Sequence, residues 1–251
     1  MYMAARLIND FSHVYNIDCV FSNTGLEHAR TYEFLRMCEQ RFGAKINCIE
    51  YYRTGEKGVG ARYKTVTIED MYRGPDIFID MVRHYKTGFP SARLGYCSLE
   101  LKRDIIQRYA KDRYGKNYTV AIGIRMDEFD RMSKVKDRFK IVYPLIQKQF
   151  FPSTKNDVEK FWSGQPFRLN LMPELKNCIG CIHKSVNTLK LNAKLAPVEF
   201  GYMMQAYDKC GDGYGIYGSG LTPSAVLAMP EQSELFTDND WDCDGLSQCG
   251  V

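Results

Sequence analysis

The sequence has no run approaching the roughly 20 apolar residues that a membrane-spanning helix requires. Its opening, Met1 to Asp10, lacks the long apolar stretch and small-residue cleavage pattern of a secretory leader. The expectation is a protein without a membrane span, working in the cytoplasm. In that reducing setting its nine cysteines are read as metal ligands or packing residues before disulfides. Charge of one sign is also scarce: 34 Lys and Arg stand against 30 Asp and Glu, a net +4. That balance permits anionic nucleotides but supplies no concentrated basic stripe interleaved with aromatics, so a nucleic-acid surface is disfavoured. No internal repeat is present. With 45% hydrophobic and 25% charged residues over 251 positions, the chain fits one large globular domain, or one domain with a small appendage.

Apolar periodicity gives the organisation. Residues 3–13 read as an amphipathic helix, Ile17 to Phe21 as a short buried strand, Glu27 to Phe42 as a helix stopped by Gly43, and Lys45 to Tyr52 as a second strand. Strand, helix and strand in that order form the signature of a parallel sheet. Residues 68–87 and 98–114 read as helices, and Tyr118 to Ile124 as the strongest strand. After Pro144 a short helix is expected at Asp157 to Trp162, an irregular stretch over 166–176, and a helical stretch over 185–208 interrupted at Pro197. From Gly211 the composition turns to Gly, Ser, Pro and Asp. The division expected is a nucleotide-binding α/β domain over 1–150 and a Cys-containing helical and irregular region over 151–251 packing on it.

Cysteine spacing carries the clearest chemistry. Cys178 and Cys181 form a Cys-x-x-Cys knuckle able to grip one metal or cluster from a tight turn, and Cys97 can close on it from a distance. A tetrahedral site needs a fourth ligand, for which Cys243 and Cys249 are the candidates, ahead of Cys210. His183 reads as a neighbour, and Cys19, Cys38 and Cys48 as packing residues. Gly123 lies at the end of the strand that closes at Ile124, and Arg125, Asp127, Glu128 and Arg131 follow it. Arginine forks there would meet phosphate or sulfate oxygens, and the acids could hold magnesium or orient the arginines. The alternative is a solvated ion-pair cluster at a helix start. Asn23, Thr24 and Gly25, with Glu27 behind them, would either offer backbone N–H groups to an anion or cap the next helix through Asn23 or Thr24. Lys102, just past Cys97, could face the same pocket. Gly55 to Gly60 lacks the terminal Lys-Ser/Thr of a Walker loop and reads as a mobile surface loop.

In order along the chain, these pieces are similar to those of a known family. They are Asn23-Thr-Gly-Leu-Glu-His-Ala-Arg-Thr-Tyr-Glu-Phe34, then Phe89-Pro-Ser91 leading to Cys97 and Lys102. After them come Ala121-Ile-Gly-Ile-Arg-Met-Asp-Glu128 with Arg131, Tyr143-Pro-Leu145, and Asn177-Cys-Ile-Gly-Cys-Ile-His-Lys184. Over roughly residues 1–200 the chain resembles the phosphoadenosine phosphosulfate (PAPS) reductase-like branch of the PP-loop ATP pyrophosphatase superfamily, especially its compact phage and prokaryotic forms. The resemblance implies a Rossmann-like adenine nucleotide α-hydrolase fold with an adenine nucleotide across the carboxyl edge of a parallel sheet. It places Asn23, Thr24 and Gly25 near the nucleotide, and Gly123, Arg125, Glu128 and Arg131 near phosphate or sulfate. It makes Cys97, Cys178 and Cys181 ligands of an iron–sulfur cluster of the 4Fe–4S type, with zinc as the alternative metal. The activity implied is reductive cleavage of a sulfonucleotide (PAPS or its adenylyl analogue APS) or ATP-driven sulfur transfer. Cys243 is then assigned as fourth ligand and Cys249, in a Cys-Gly context, as nucleophile.

Two departures shape a rival expectation. The family opens with a strand and a Ser-Gly-Gly-x-x-Ser loop, which this sequence does not contain, and Met1 to Leu7 reads like the helix that follows that loop. The family's reductases also carry adjacent cysteines where this chain has Tyr96-Cys97. The rival is therefore an incomplete or split scaffold with a structural zinc. A partner chain would supply the loop or exchange sulfur, and a homodimer stays open.

Overall fold

The computed structural model describes residues 1–55, 60–85, 88–132, 140–176 and 178–230. Helix α1 (Tyr2–Phe11) buries Tyr2, Ala5 and Leu7 along one face. Strand β1 (Cys19–Asn23), helix α2 (Ala29–Phe42) and strand β2 (Ile46–Tyr52) follow. Gly43 ends α2 at φ +63, its N–H donating to the Glu39 carbonyl, a left-handed stop that glycine adopts without a Cβ penalty. Strands β1 and β2 run parallel, with Cys19 opposite Ile46 and Asn23 opposite Glu50. The β-α-β unit read from the sequence is present.

A strand the periodicity did not separate, β3 (Arg62–Val66), pairs antiparallel with β2 and completes a sheet of order β1-β2-β3. Lys64 and Thr65 are exposed, which hides the alternation a half-buried strand normally shows. The helix expected over 68–87 is shorter: α3 spans Asp76–His84. Gly74 at φ +151 precedes Pro75, and proline disfavours helical backbone in the residue before it.

The helix expected over 98–114 is present and starts two residues earlier. It runs as α4 (Tyr96–Ser98), a π-helical segment (Leu99–Asp104) and α5 (Ile105–Tyr114). The strand expected over Tyr118 to Ile124 contracts to β4 (Val120–Ala121). It pairs in parallel with β5 (Ile141–Val142) in a second, two-stranded sheet. A strand extends only as far as its partner, and β5 is two residues long. Among the described residues the class is thus α/β with parallel pairs distributed over two small sheets.

Helices α6 (Lys155–Ser163), α7 (Val186–Leu195) and α8 (Pro197–Cys210) follow as expected, with Pro197 opening α8. A further helix, α9 (Pro223–Ala228), lies in the stretch where the composition turns to Gly, Ser, Pro and Asp. The later helices share the main core with the sheet: Ile49 and Tyr51 of β2, Phe78 and Met81 of α3, Phe200 and Met203 of α8 and Val226 of α9 belong to one cluster. A second cluster under α2 contains Cys38 and Cys48, both fully buried. Burial pushes each thiol up to about 12, and Cys19 packs beside them, so these three are packing residues. No helix among the described residues is long and apolar enough to cross a membrane.

Asn23, the last residue of β1, holds these pieces in register. Its Nδ2 donates to Glu50 Oε1 at 2.7 Å and to the Tyr72 carbonyl at 2.8 Å. Its Oδ1 accepts from Gly25 N at 3.2 Å and Tyr32 OH at 3.0 Å. Both donors and both lone pairs are used. Glu50, with no exposed surface, also accepts from Tyr72 N at 2.6 Å. Its second oxygen has Lys64 Nζ at 3.0 Å as an ion pair without a directed hydrogen bond. Asn23→Ala leaves a buried carboxylate short of a donor and should cost ~3–5 kcal/mol in urea unfolding; a loss below ~1 kcal/mol would contradict this role.

Candidate functional site

The turn after β1 is built from its own polar groups. Gly25 sits at φ +80, and a Cβ there would collide with the Gly74 carbonyl. Thr24 N and Thr24 Oγ1 donate to Glu27 Oε2 and Oε1 at 3.2 and 2.7 Å, and Leu26 N donates to Thr24 Oγ1 at 3.4 Å. The cap of α2 is His28, whose side chain accepts from Arg30 N at 3.1 Å, so neither Asn23 nor Thr24 caps it. The N–H groups of Thr24, Gly25 and Leu26 all point inward to these partners and are not presented to an anion. Residues 22–27 are buried. This turn is a floor for a site.

What rests on that floor is the cysteine knuckle. Glu27 forms an isolated antiparallel bridge with Cys178, and Ile179 N donates to the Leu26 carbonyl at 3.2 Å. Thr24 Oγ1 lies 3.6 Å from Cys178 Sγ. The knuckle closes on itself through Cys181 N to the Cys178 carbonyl at 3.2 Å. Asn192 Nδ2 and Lys184 Nζ brace it, donating to the Ile179 and Glu174 carbonyls, each at 2.7 Å. Gly180 is glycine for a packing reason: a Cβ there would come within 2.6 Å of Met203 Cβ.

Cys97 arrives from the first turn of the α4 run. At its start, a Cβ on Gly95 would lie 2.9 Å from His183 Nε2, so His183 is a packing neighbour of that turn. The π-helical segment follows at once and carries Lys102. Ser22 Oγ of β1 donates to the Leu101 carbonyl, which ties the widened turn to the strand. Single π turns within α-helices concentrate at functional positions.

The three sulfurs feel one another. Burial pushes the Cys97 thiol from 9.0 up to about 12, helped by the charges of Cys181 and Cys178 and opposed by the Lys102 ammonium. Burial pushes Cys178 up to about 11; Lys102 opposes it, Glu27 and Cys181 reinforce it, and the Thr24 hydrogen bond opposes it. The fold therefore gathers Thr24, Glu27, Cys97, Lys102, Cys178 and Cys181 in one neighbourhood. Among the described residues, no three His, Cys, Asp or Glu side chains close around one point as a metal set. The donors nonetheless fit a soft metal or an iron–sulfur cluster in kind: three thiols from two separate segments in a largely apolar setting. Cys243 and Cys249 lie outside the described residues.

The arginine loop is a separate cluster with a different character. It forms a 3-10 helix, Met126–Arg131, and packs toward α1 and the 143–155 segment: Gly123 faces Met3 and Leu145, and Met126 N donates to the Ser153 carbonyl. Arg125 Nε reaches Asp127 Oδ1 at 3.1 Å, and its NH2 lies 3.3 Å from Glu128 Oε1. Arg131 NH1 donates to Glu128 Oε1 at 2.6 Å. The Arg125 hydrogen bond holds Asp127 below the usual carboxylate range, with the Lys155 N–H adding to it. The expected anion cradle is, in this structure, an ion-pair cluster in which Asp127 and Glu128 pair with Arg125 and Glu128 with Arg131, whose Nε is buried without a hydrogen-bond partner. Its acids are likewise committed to arginine and backbone, not grouped for magnesium.

Sequence reading missed Glu50 and Tyr32. Glu50 had the appearance of a polar position in a strand, and only its pairing opposite Asn23 gives it meaning. Tyr32 looked like one apolar mark in a helical period. Two outcomes follow from the thiols. Because Cys97 and Cys178 bind protons more tightly folded than unfolded, stability of metal-free protein should be complete below pH ~9 and fall as pH rises from about 9 towards 12; a flat profile there would contradict the burial. Lys102→Met should lift both thiols further and slow their alkylation at pH 8, which a timed thiol-labelling assay reads; unchanged rates would remove Lys102 from the site.

No family model matches the chain, and no solved structure matches it. It is 33% identical over 183 residues, 71% of its length, to the uncharacterized nin region protein ORF290 of Escherichia phage lambda. The chain spans 60% of the length of that relative.

Proposed function

We propose that this chain is an adenine-nucleotide-binding enzyme of the PAPS reductase-like kind, holding an iron–sulfur cluster on Cys97, Cys178, Cys181 and Cys243. Its reaction is reductive sulfonucleotide cleavage or ATP-dependent sulfur transfer. The observation that carries this reading is the bridge between Glu27 and Cys178. It fixes the knuckle at the carboxyl end of β1, a strand in a parallel pair, and that end is where ligands bind in parallel α/β sheets. A Rossmann-like nucleotide fold is the finer form of the α/β arrangement described above and belongs to this proposal.

When bound, the cluster supplies a charged sulfur centre that tunes chemistry beside it. The chain's own residues do the rest. Lys102 offsets the negative charge of Cys97 and Cys178. Thr24 and Glu27 fix the position of Cys178. Cys249 acts as the nucleophilic thiolate. Arg125 and Arg131 stabilise an anionic leaving group once Asp127 and Glu128 release them to it.

One set of observations favours the rival scaffold reading. The N–H groups at Thr24, Gly25 and Leu26 are satisfied internally, and Arg125 and Arg131 are each paired with a carboxylate, Arg131 Nε alone being buried without a hydrogen-bond partner. On that reading the cysteines hold a structural zinc, and a partner chain supplies the phosphate-gripping loop. Calorimetry with ATP, APS and PAPS, coupled to assays for sulfite and pyrophosphate, separates the two. The enzyme reading expects binding of one nucleotide and turnover that Cys249→Ser lowers by ~1,000-fold or more without loss of binding. No binding of any of the three would leave the scaffold.

A further inference from the structure

Charge is divided unevenly along the chain. Residues 231–251 hold six of the 30 acidic residues, from Glu231 to Asp244, and none of the 34 lysines and arginines. Residues 1–230 keep 34 bases against 24 acids, a net +10. Among the acids stand three large apolar side chains, Leu235, Phe236 and Trp241. This segment lies outside the described residues, and the chain enters it from Pro230. There the structure supplies an anchor: Lys190 Nζ of α7 donates to the Pro230 carbonyl at 2.5 Å.

Around that anchor lies an exposed apolar face. Leu195 ends α7, Val198 lies in the first turn of α8, and Leu227 and Met229 mark the end of α9. All four are exposed, Val198 by 62%. Helix α9 packs against both α7 and α8, so the four belong to one three-helix face. Lys194 stands one turn beyond Lys190 on α7. An exposed apolar face rimmed by charge marks a contact surface, and electrostatic complementarity calls for an acidic occupant with apolar anchors. Residues 231–251 have that chemistry and are tethered at the rim of the face. Leu235 and Phe236 follow Pro230 closely enough to reach up to ~20 Å from it, whereas Lys190 to Leu195 is ~8 Å of helix.

We propose that residues 231–251 fold back as a strap over the α7–α8–α9 face. Its apolar side chains cover the four exposed ones, and its acids face Lys190 and Lys194. The strap fixes the segment that carries Cys243 and Cys249 to the helix whose Asn192 braces the knuckle. The inference does not depend on what the cysteines hold.

The test uses the full chain with Trp162→Phe, which leaves Trp241 as its one tryptophan. Emission and acrylamide quenching are compared with those of a synthetic peptide of residues 231–251. The expected result is emission to the blue of the peptide's and weaker quenching, both independent of protein concentration. Both should revert towards the peptide in Lys190→Glu with Lys194→Glu, and in Leu195→Asp with Val198→Asp. Emission and quenching equal to the peptide's would overturn the proposal, as would shielding that survives both double substitutions. Shielding lost on dilution would overturn it too, by assigning the cover to a second copy of the chain. If Trp162→Phe fails to fold, the chain labelled with 5-fluorotryptophan decides. Its Trp241 fluorine resonance, assigned through Trp241→Phe, is expected to lose the H2O–D2O shift that the peptide shows, and a retained shift overturns the proposal.

Discussion

The buried pair of Asn23 and Glu50 is the constraint on which the rest of the structure depends. A carboxylate with no exposed surface in the middle of a sheet is costly unless its oxygens are met by donors. Asn23 meets it, and in doing so spends its remaining capacity on Tyr72, Gly25 and Tyr32. One side chain thereby joins β1 to β2, to the 68–75 turn and to α2. It also leaves Gly25 in the left-handed conformation that starts the Thr24–Glu27 turn, and that turn is what the knuckle is bridged to. A polar network of this kind specifies one arrangement because partial satisfaction is worse than none.

Cys97 and Cys178 share a neighbourhood with Cys181 in which burial makes both resist ionisation, and a charge on Cys181 would raise both further. Lys102 offsets part of that. A metal or cluster would take the deprotonated sulfurs as ligands and release their protons, so loading couples to pH and to folding. Glycine at 180, the braces from Asn192 and Lys184, and the bridge to Glu27 show that the knuckle's shape is held by its surroundings.

Much of this was legible in the sequence where local chemistry decides. Gly43 stops α2, Pro197 opens α8, and β1-α2-β2 is a parallel unit, because periodicity and turn residues act over a few positions. The Cys178–Cys181 knuckle followed from its spacing, while the place of Cys97 beside it was an expectation of the family resemblance. Partner-dependent features were not legible. Tyr118 to Ile124 has strand composition, yet β5 allows it two residues. Arg125 and Arg131 have the chemistry of an anion site, yet Asp127 and Glu128 at the same helical turn pair with them first. Thr24 has the chemistry of a cap, yet Glu27 and Cys178 claim it.

The central claim is that the gathered cysteines hold a cluster and not a structural ion. The most direct measurement is the iron, acid-labile sulfide and zinc content of anaerobically purified protein, with its visible absorbance spectrum. The account predicts iron and sulfide in matching amounts, with a broad sulfur-to-iron absorption that Cys97→Ser or Cys178→Ser abolishes. One zinc per chain, with no iron and no visible absorption, would contradict it and make the knuckle a structural clip.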